Sequence, residues 1–368
     1  MTNGLKFSII TVCYNEEKNI IATIESVLKQ RWENFQYLII DGDSDDSTVD
    51  IICEYAKSDK RIEWYSEKDK GIYNAMNKGI YLSDGDLLFF LNAGDVFYKD
   101  DILQTVAREA TLSSADIIIG DIVKENEVGL ERISYKIGEC LENDLKNGRN
   151  VCHQAIFASK ESMRSGFDEQ FRICADYDWL CRQINDKEKI IKIDMVFVNF
   201  DTSGLTSQGR YWKTGVNEVI RVIKKNFPEI NRSYLDEKEM LLLKWYNKQL
   251  LCKCMNQMLI LKQKEVDISS FFSNHGIQTL AIYGISYMGQ RLYDEIKDSH
   301  VKIEYFIDKR VERAKFEVPI LYPEEVLGKV DAIIITAVFE YFDIKETLKK
   351  KLNCPIISME EILFYKYN

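Results

Sequence analysis

The opening 66 residues constrain the fold more than any other feature of the chain. FSIITVCYN, residues 7–15, is an apolar, β-branched run that ends in a polar turn. A run with no polar alternation has no solvent face, so it reads as a buried parallel strand. EEKNIIATIESVLKQ follows, with Ile20, Ile24, Val27 and Leu28 on one helical face and Asn15 placed to cap it. FQYLIIDGDSDDST repeats the pattern: a strand over 37–40, an acidic turn, and a helix opening at 47–49. RIEWYSE supplies a third strand. Strands alternating with helices in this way make a doubly wound α/β sheet, and such sheets bind ligands at the carboxyl ends of their strands. Here those ends carry Asn15, Asp41, Asp43 and Glu67.

Further along, LLFFLNAGD (87–95), ADIIIGDIV (115–123) and HQAIFASK (153–160) read as strands and DYDWLCRQI (176–184) as a helix. DTSGLTSQG (201–209) is rich in Gly, Ser and Thr and reads as a mobile loop. A helix over 212–226 stops before Pro228. The stretch 236–266 is also helical, with too many apolar positions for a solvated linker, among them Leu242, Leu243, Trp245, Leu250, Leu251 and Leu259. Two coverings fit it. One is the core or a homodimer contact; the other is weak peripheral contact with a membrane surface, helped by Lys244, Lys248 and Lys253. Strand–helix alternation restarts with TLAIYG at 279. The expected organisation is a first α/β domain over 1–228, a helical connector over 229–267 and a second α/β domain over 268–368.

Composition bounds the function. A chain of 368 residues exceeds one ordinary domain. Its 59 acidic against 49 basic residues, a net charge of −10, argue against nucleic acid as a partner, which would need a basic face; a local basic patch stays open. Residues 1–7 lead straight into an apolar strand without a basic n-region, so no secretory leader is expected. No run approaches the roughly 20 apolar residues of a membrane span. The nine scattered cysteines suit reduced thiols in the cytoplasm, with the inner face of the cell membrane as the alternative place of action. His153, His275 and His300 lie far apart, so a metal is expected on carboxylates, which suits Mg²⁺ or Mn²⁺ better than zinc.

Five places carry candidate chemistry. Asp41 and Asp43, just past a buried strand, can accept hydrogen bonds from a base N–H or a ribose hydroxyl; an acidic cluster serving only the positive end of the next helix is the alternative. In SEKDKGIYNAMNKGI (66–80), Asp69 and Lys70 lie where a strand gives way to a helix, which suits nucleotide phosphate and ribose. Asn92 and Asp95 close an apolar strand and could offer oxygen to a hard cation over a diphosphate; a turn that merely ends the strand uses the same residue types. His153 and Gln154 precede another strand, and a lone histidine is more often structural than functional. Asp176 and Asp178 flank a tyrosine at a helix start, and carboxylates two apart do not share a helix face, so at most one faces a site.

In order, TVCYNEEKNI, DGDSDDST, SEKDKGIYNAMNKGI, LNAGD, CHQAIF and CADYDWL resemble the motif series of the family 2 glycosyltransferases, over roughly residues 5–210. Each motif is weak alone; six in this order are specific. The resemblance implies a GT-A fold followed by the connector and a second, Rossmann-like domain. It implies inverting transfer of a hexosyl or N-acetylhexosaminyl group from a nucleotide-sugar donor, UDP-linked, to a glycan or lipid-linked glycan acceptor in surface polysaccharide synthesis. It puts Asn15 and Glu16 by the nucleotide, Asp41 and Asp43 on base and ribose, Asp69 against the nucleoside with Lys70 nearby, and Asn77 in the same pocket. It makes the turn from Asn92 to Asp95 the metal motif, with Asp95 the ligand for Mn²⁺ or Mg²⁺. Asp176 matches the catalytic base, and His153 and Gln154 match a pair near donor sugar and acceptor. Residues 204–207 resemble the loop that closes over the diphosphate.

Two departures from the family pattern are visible. Asn92-Ala93-Gly94 replaces the usual Asp-x-Asp, with Asp95 just after, and Ala175-Asp176 replaces the usual Glu-Asp. An inverting transfer still needs only one base and compensation for the charge of the departing diphosphate. The other class weighed is a non-catalytic regulatory protein that binds nucleotide sugars; Asp95 together with Asp176 favours the enzyme. In the trailing part, Gly284, Ser286 and Gly289 occupy the positions of GxGxxG, and Asp308 follows 24 residues after Gly284. This resembles Rossmann-like domains attached to bacterial sugar-modifying enzymes, and both a bound nucleotide and a cofactor-free packing domain fit it.

Overall fold

The computed structural model describes residues 4–126, 129–201, 212–309, 317–325 and 329–367, and the chain divides into two compact units, Met1–Glu239 and Met240–Asn368. In chain order the first unit contains β1 (Phe7–Cys13), α1 (Ile20–Leu28), β2 (Phe35–Asp41), α2 (Thr48–Ser58), β3 (Ile62–Ser66), α3 (Ile72–Leu82), β4 (Leu87–Phe90), β5 (Val96–Phe97) and α4 (Ile102–Ser113). It continues with β6 (Ile117–Asn126), β7 (Gly129–Ile133), α5 (Glu139–Lys146), β8 (Ile156–Ser159), α6 (Ala175–Asn185), β9 (Ile190–Phe200) and α7 (Trp212–Asn226).

Nine strands form one sheet in the order β3-β2-β1-β4-β8-β6-β9-β5, with β7 paired to β6 off that path. The β3-β2-β1-β4 half is parallel. β1 and β2 pair along their full length, Phe7 with Phe35 through Cys13 with Asp41, and every residue of both is buried. Burial on both faces explains why neither strand alternates. The other half is mixed: β8 runs against both β4 and β6, while β9 runs parallel to β6 and β5 against β9. That reversal matters for the site. The short 3-10 turn His153–Ala155 precedes β8, so it lies at the same end of the sheet as the exit of β4. Phe89 on β4 stacks on Phe157 of β8 at 4.1 Å between ring centres, and Phe197 of β9 meets Phe157 edge-on at 5.2 Å. Such pairs add about 0.5–1.5 kcal/mol each beyond their buried area.

Local differences from the sequence reading have simple causes. Asn15 does not cap α1: it sits in the left-handed region (φ 56°), and Asn19 is the N-cap residue. The backbone between them is held across the sheet end, with the Glu16 N–H donating to Thr48 Oγ1 at 2.8 Å. The strand expected from His153 begins instead at Ile156.

α8 (Arg232–Gln263) contributes residues to both units. Leu250, Cys254 and Leu261 on it are buried, while Met240, Leu241 and Leu259 are exposed. The second unit adds α9 (Ser269–Asn274), β10 (Thr279–Tyr283), α10 (Tyr287–Ile296), β11 (Lys302–Ile307), β12 (Ile320–Leu321), β13 (Ala332–Ile335), α11 (Tyr341–Lys349), β14 (Ile356–Ser358) and α12 (Met359–Leu363). Its five strands are all parallel in the order β12-β11-β10-β13-β14, a Rossmann-like arrangement. Among the described residues no helix is long and apolar enough to cross a membrane.

The turn after β10 is tightly closed. Gly284 has φ 104°, and a Cβ on Gly289 would stand 2.0 Å from the Gly284 carbonyl oxygen. Asp308 is buried, and its Oδ2 accepts the Ile285 N–H at 2.8 Å. Gly289→Ala is therefore expected to destabilise this unit by about 1–3 kcal/mol, the usual cost of forcing volume into a filled site. Helix propensity offsets that by at most about 1 kcal/mol. Urea unfolding of the variant checks it; an unchanged midpoint would show that the turn has room.

Candidate active site

At the carboxyl ends of β1, β2 and β3 the turns interlock through one carboxylate. Asp41 is fully buried. Its Oδ2 accepts the N–H of Asp43 (3.1 Å), the N–H of Ser44 (3.0 Å) and the Ser66 hydroxyl (2.6 Å), and its Oδ1 accepts the Ser44 hydroxyl (2.5 Å). These bonds close the 42–46 turn and leave Asp43 exposed in the left-handed region, φ 69°. Asn15 docks on that turn: its N–H donates to Ser44 Oγ (2.8 Å) and its Oδ1 accepts the Asp45 N–H (3.0 Å). Burial raises the Glu16 carboxyl above its ordinary value, against the Asn19 amide that donates to it.

Asp69 approaches the same turn from β3. Its Oδ2 would be 3.2 Å from a Cβ on Gly42. Lys78 bonds Asp69 at 2.6 Å and Glu67 at 2.7 Å. Burial outweighs that ion pair and leaves the Asp69 carboxyl raised. Lys70 is exposed, with its N–H on Asn74 Oδ1 at 3.2 Å.

The second half of the site forms where β4 ends. Asp95 is 2% exposed; its Oδ1 accepts the Asp201 N–H and its Oδ2 the Gln154 side-chain amide, each at 2.8 Å. Burial pushes its carboxyl up to about 6. Gly94 has φ 97°, and a Cβ there would lie 2.7 Å from Asp201 Oδ2, so the Asp201 carboxylate fills the space beside it. Asn92 Nδ2 is 3.1 Å from His153 Nε2, and His153 Nδ1 is 3.1 Å from Asp176 Oδ2. An amide nitrogen only donates, so Nε2 accepts and Nδ1 carries the proton given to Asp176. Asp176 Oδ1 accepts the Tyr177 N–H at 2.8 Å and lies 3.2 Å from the Tyr73 hydroxyl. Asp178 takes another direction: fully buried, it binds Arg182, Lys225 and Asn226.

Among the described residues no three His, Cys, Asp or Glu side chains converge as a metal cluster. Oxygen is nevertheless at hand. Asn92 Oδ1 is buried without a hydrogen-bond partner, and a buried acceptor left so costs about 1–3 kcal/mol. The Asp201 carboxylate stands beside Gly94, two residues further along, so this turn carries an amide and a carboxylate oxygen. It fits a hard divalent cation, which keeps water and phosphate oxygens and asks for only one or two protein ligands.

Comparison with known proteins decides the family. The model for glycosyl transferase family 2 matches residues 8–187. An uncharacterized glycosyltransferase of Mycobacterium tuberculosis is 32% identical over 212 residues, covering 56% of this chain and 79% of that protein. The chain belongs to the family 2 glycosyltransferases. A PGL/p-HBAD biosynthesis glycosyltransferase of Mycobacterium bovis is 31% identical over 181 residues, 48% of this chain and 68% of that one. Among solved structures, S. aureus TarS 1–349 in complex with UDP-GlcNAc superposes with a TM-score of 0.51 at 15% identity, covering 65% of this chain and 72% of that one, a likeness of fold. The curled mixed sheet is thus a GT-A fold.

Within the transferase the expected residues fall into two groups. Asn15, Glu16, Asp41, Asp43 and Asp69 share the interlocked turns, with Lys70 exposed at their edge. Asn92, Asp95, His153, Gln154 and Asp176 share the hydrogen-bonded chain at the β4 end. Asn77 joins neither: its amide is spent on Phe167 N–H (2.8 Å), Phe167 O (2.9 Å) and Glu169 (2.9 Å). Residues 204–207 lie outside the described residues. The sequence reading missed Tyr73, Asp201 and Glu218; the first two stand inside quoted segments, and the third has no local signal at all. A separate cavity of about 650 Å³, lined by Tyr81, Asp84, Asp86, Lys160 and Arg164 among others, opens by the amino end of β4 and holds none of these residues. Asp41→Asn is expected to cost about 1–3 kcal/mol, since an NH₂ would meet donors where an oxygen stood. It should also weaken nucleotide binding as the 42–46 turn loosens. Urea unfolding and calorimetry with UDP check both, and unchanged values would mean the turn is held otherwise.

Proposed function

We propose that this glycosyltransferase moves a hexosyl or N-acetylhexosaminyl group from a UDP-linked donor, with inversion, to a hydroxyl of a glycan or lipid-linked glycan acceptor in surface polysaccharide synthesis. The observation that carries the reading is Asp176. Its carboxylate is held by His153 on one oxygen and by the Tyr177 N–H on the other, at the end of a chain of contacts that begins at Asn92. A carboxylate so oriented suits a general base. The TarS complex with UDP-GlcNAc supports a UDP donor.

In the step that follows, Asp176 takes the proton of the acceptor hydroxyl as that oxygen bonds to the anomeric carbon. The bond from that carbon to the diphosphate oxygen breaks, and its electron pair leaves with the diphosphate. Attack opposite the leaving group inverts the centre, and no second nucleophilic carboxylate is needed. A divalent cation, Mn²⁺ or Mg²⁺, would be met by Asn92 Oδ1 and Asp201 and would offset the charge gathering on the diphosphate. Asp95, expected from sequence as the ligand, is assigned to holding the turn, because it is only 2% exposed and its two oxygens bridge the Asp201 N–H and the Gln154 amide. Asn15, Asp43 and Asp69 face the nucleoside.

Thermal-shift titration with a panel of nucleotide sugars and Mn²⁺ tests the reading: UDP-linked sugars should raise the melting temperature, and no response to any of them would defeat it. Asp176→Asn should lower turnover by ~10²-fold or more, the scale of a lost general base, with UDP affinity intact. Near-normal turnover at saturating donor would exclude Asp176. Asp201→Asn should raise the Mn²⁺ concentration for half-maximal activity by about tenfold, a loss of about 1.4 kcal/mol. Full activity after exhaustive chelation would remove the cation from the scheme.

A further inference from the structure

Asp176 is the second residue of α6, and that helix has no side-chain cap of its own. The segment leading into it is instead held from a distant helix. Glu218, on α7, is 5% exposed. Its Oε1 accepts the N–H of Arg172 (2.8 Å), and its Oε2 accepts those of Ile173 (2.8 Å) and Cys174 (3.0 Å). Three consecutive backbone amides therefore converge on one carboxylate, 44 to 46 residues away in sequence.

We infer that Glu218 is a positioning residue for the catalytic base. The peptide of Ile173 is gripped on both sides. Its N–H is on Glu218, and its carbonyl accepts the Tyr73 hydroxyl at 2.5 Å. That same hydroxyl stands 3.2 Å from Asp176 Oδ1. A shift of the 172–174 segment would thus move both the helix start that carries Asp176 and the phenol beside it. Other contacts from α7 support the segment: Cys174 Sγ reaches Gly215 O at 3.7 Å, and the guanidinium of Arg221 lies 4.9 Å from the centre of the Phe171 ring. Among the contacts described from α7, it is Glu218 that accepts these amides, and charge-assisted bonds of this kind are roughly twice as strong as neutral ones. No other residue type does the same work. Glutamine keeps one acceptor oxygen but sets an NH₂ against an amide donor, and alanine takes the acceptor away from three amides, of which that of Cys174 is buried. Displacement of a reacting group by ~1 Å can cost ~10²-fold in rate without touching substrate affinity.

The inference rests on Asp176 being the base, and the experiment separates the two. Full-length wild type, Glu218→Ala, Glu218→Gln, Asp176→Asn and Asn226→Ala are compared with Mn²⁺ present. The readouts are UDP release from UDP-GlcNAc, UDP affinity by calorimetry, and melting temperature. Asn226 ties α7 to Asp178 (2.9 Å) away from the 172–174 segment, so its loss loosens the same helix pair without freeing those amides. Glu218→Ala should lower kcat by ~10–10²-fold with UDP affinity within about twofold, as expected of misplacement rather than lost binding. Glu218→Gln should fall between wild type and Glu218→Ala, and Asn226→Ala should lose melting temperature while keeping kcat. If Glu218→Ala does not fold, Glu218→Gln decides: a lower kcat at unchanged UDP affinity upholds the inference. A kcat equal to wild type in a folded Glu218 variant, or one that falls only as far as UDP affinity does, overturns it while Asp176→Asn is inactive. Normal turnover in Asp176→Asn overturns the base assignment, and this inference with it.

Discussion

Three distant stretches of chain meet on one buried carboxylate, that of Asp95. It closes the turn after β4, takes the Gln154 amide from the start of β8, and takes the Asp201 N–H from the end of β9. Burying a charge is costly unless hydrogen bonds meet it, and the raised carboxyl, about 6, records that two bonds only partly offset the burial. What the cost secures is alignment. The antiparallel run of β8 against β4 sets His153 next to Asn92, and the shared carboxylate keeps the strand ends from sliding apart. The chain of contacts to Asp176 depends on that alignment.

The same device recurs across the catalytic unit. Asp41 closes the turn between β2 and α2, Asp178 binds α6 to α7 and Glu218 holds the approach to α6. Each is buried, and the partners found for each are its own chain's donors. The acids left with more solvent, Asp43 and Asp69, lie on the turns these anchors shape. Neighbouring acids in this unit therefore divide: some are buried in the scaffold and others stay partly open to solvent.

That division explains how far the sequence could be read. Unalternating apolar runs announced β1, β2 and β4, because burial on both faces leaves only one kind of residue. The order of six short motifs placed the turns at the sheet's ligand end. Which acid of a pair faces outward was not legible: Asp41 and Asp43 differ only in what Ser44 and Ser66 do in space. Asn77 looked like a pocket residue from its motif, yet its amide serves a loop ninety residues on. Glu218 sits in a plain amphipathic helix, and its role exists only where α7 crosses the 172–174 segment. In the second unit, GxSxxG with a following Asp308 was read correctly as strand, turn and helix. The use of Asp308 to hold the turn's own Ile285 amide is a tertiary fact.

Gly94 lies in the turn between β4 and β5. The Asp201 carboxylate occupies the room a side chain at that position would need. The carboxylate beside this turn comes from the end of β9. Positions 94 and 201 therefore share one space. Gly94→Asp would bring two carboxylates into one space, on a backbone at φ 97° that only glycine adopts freely. A side chain added there would be a collision, so position 94 admits a change only if position 201 gives way with it.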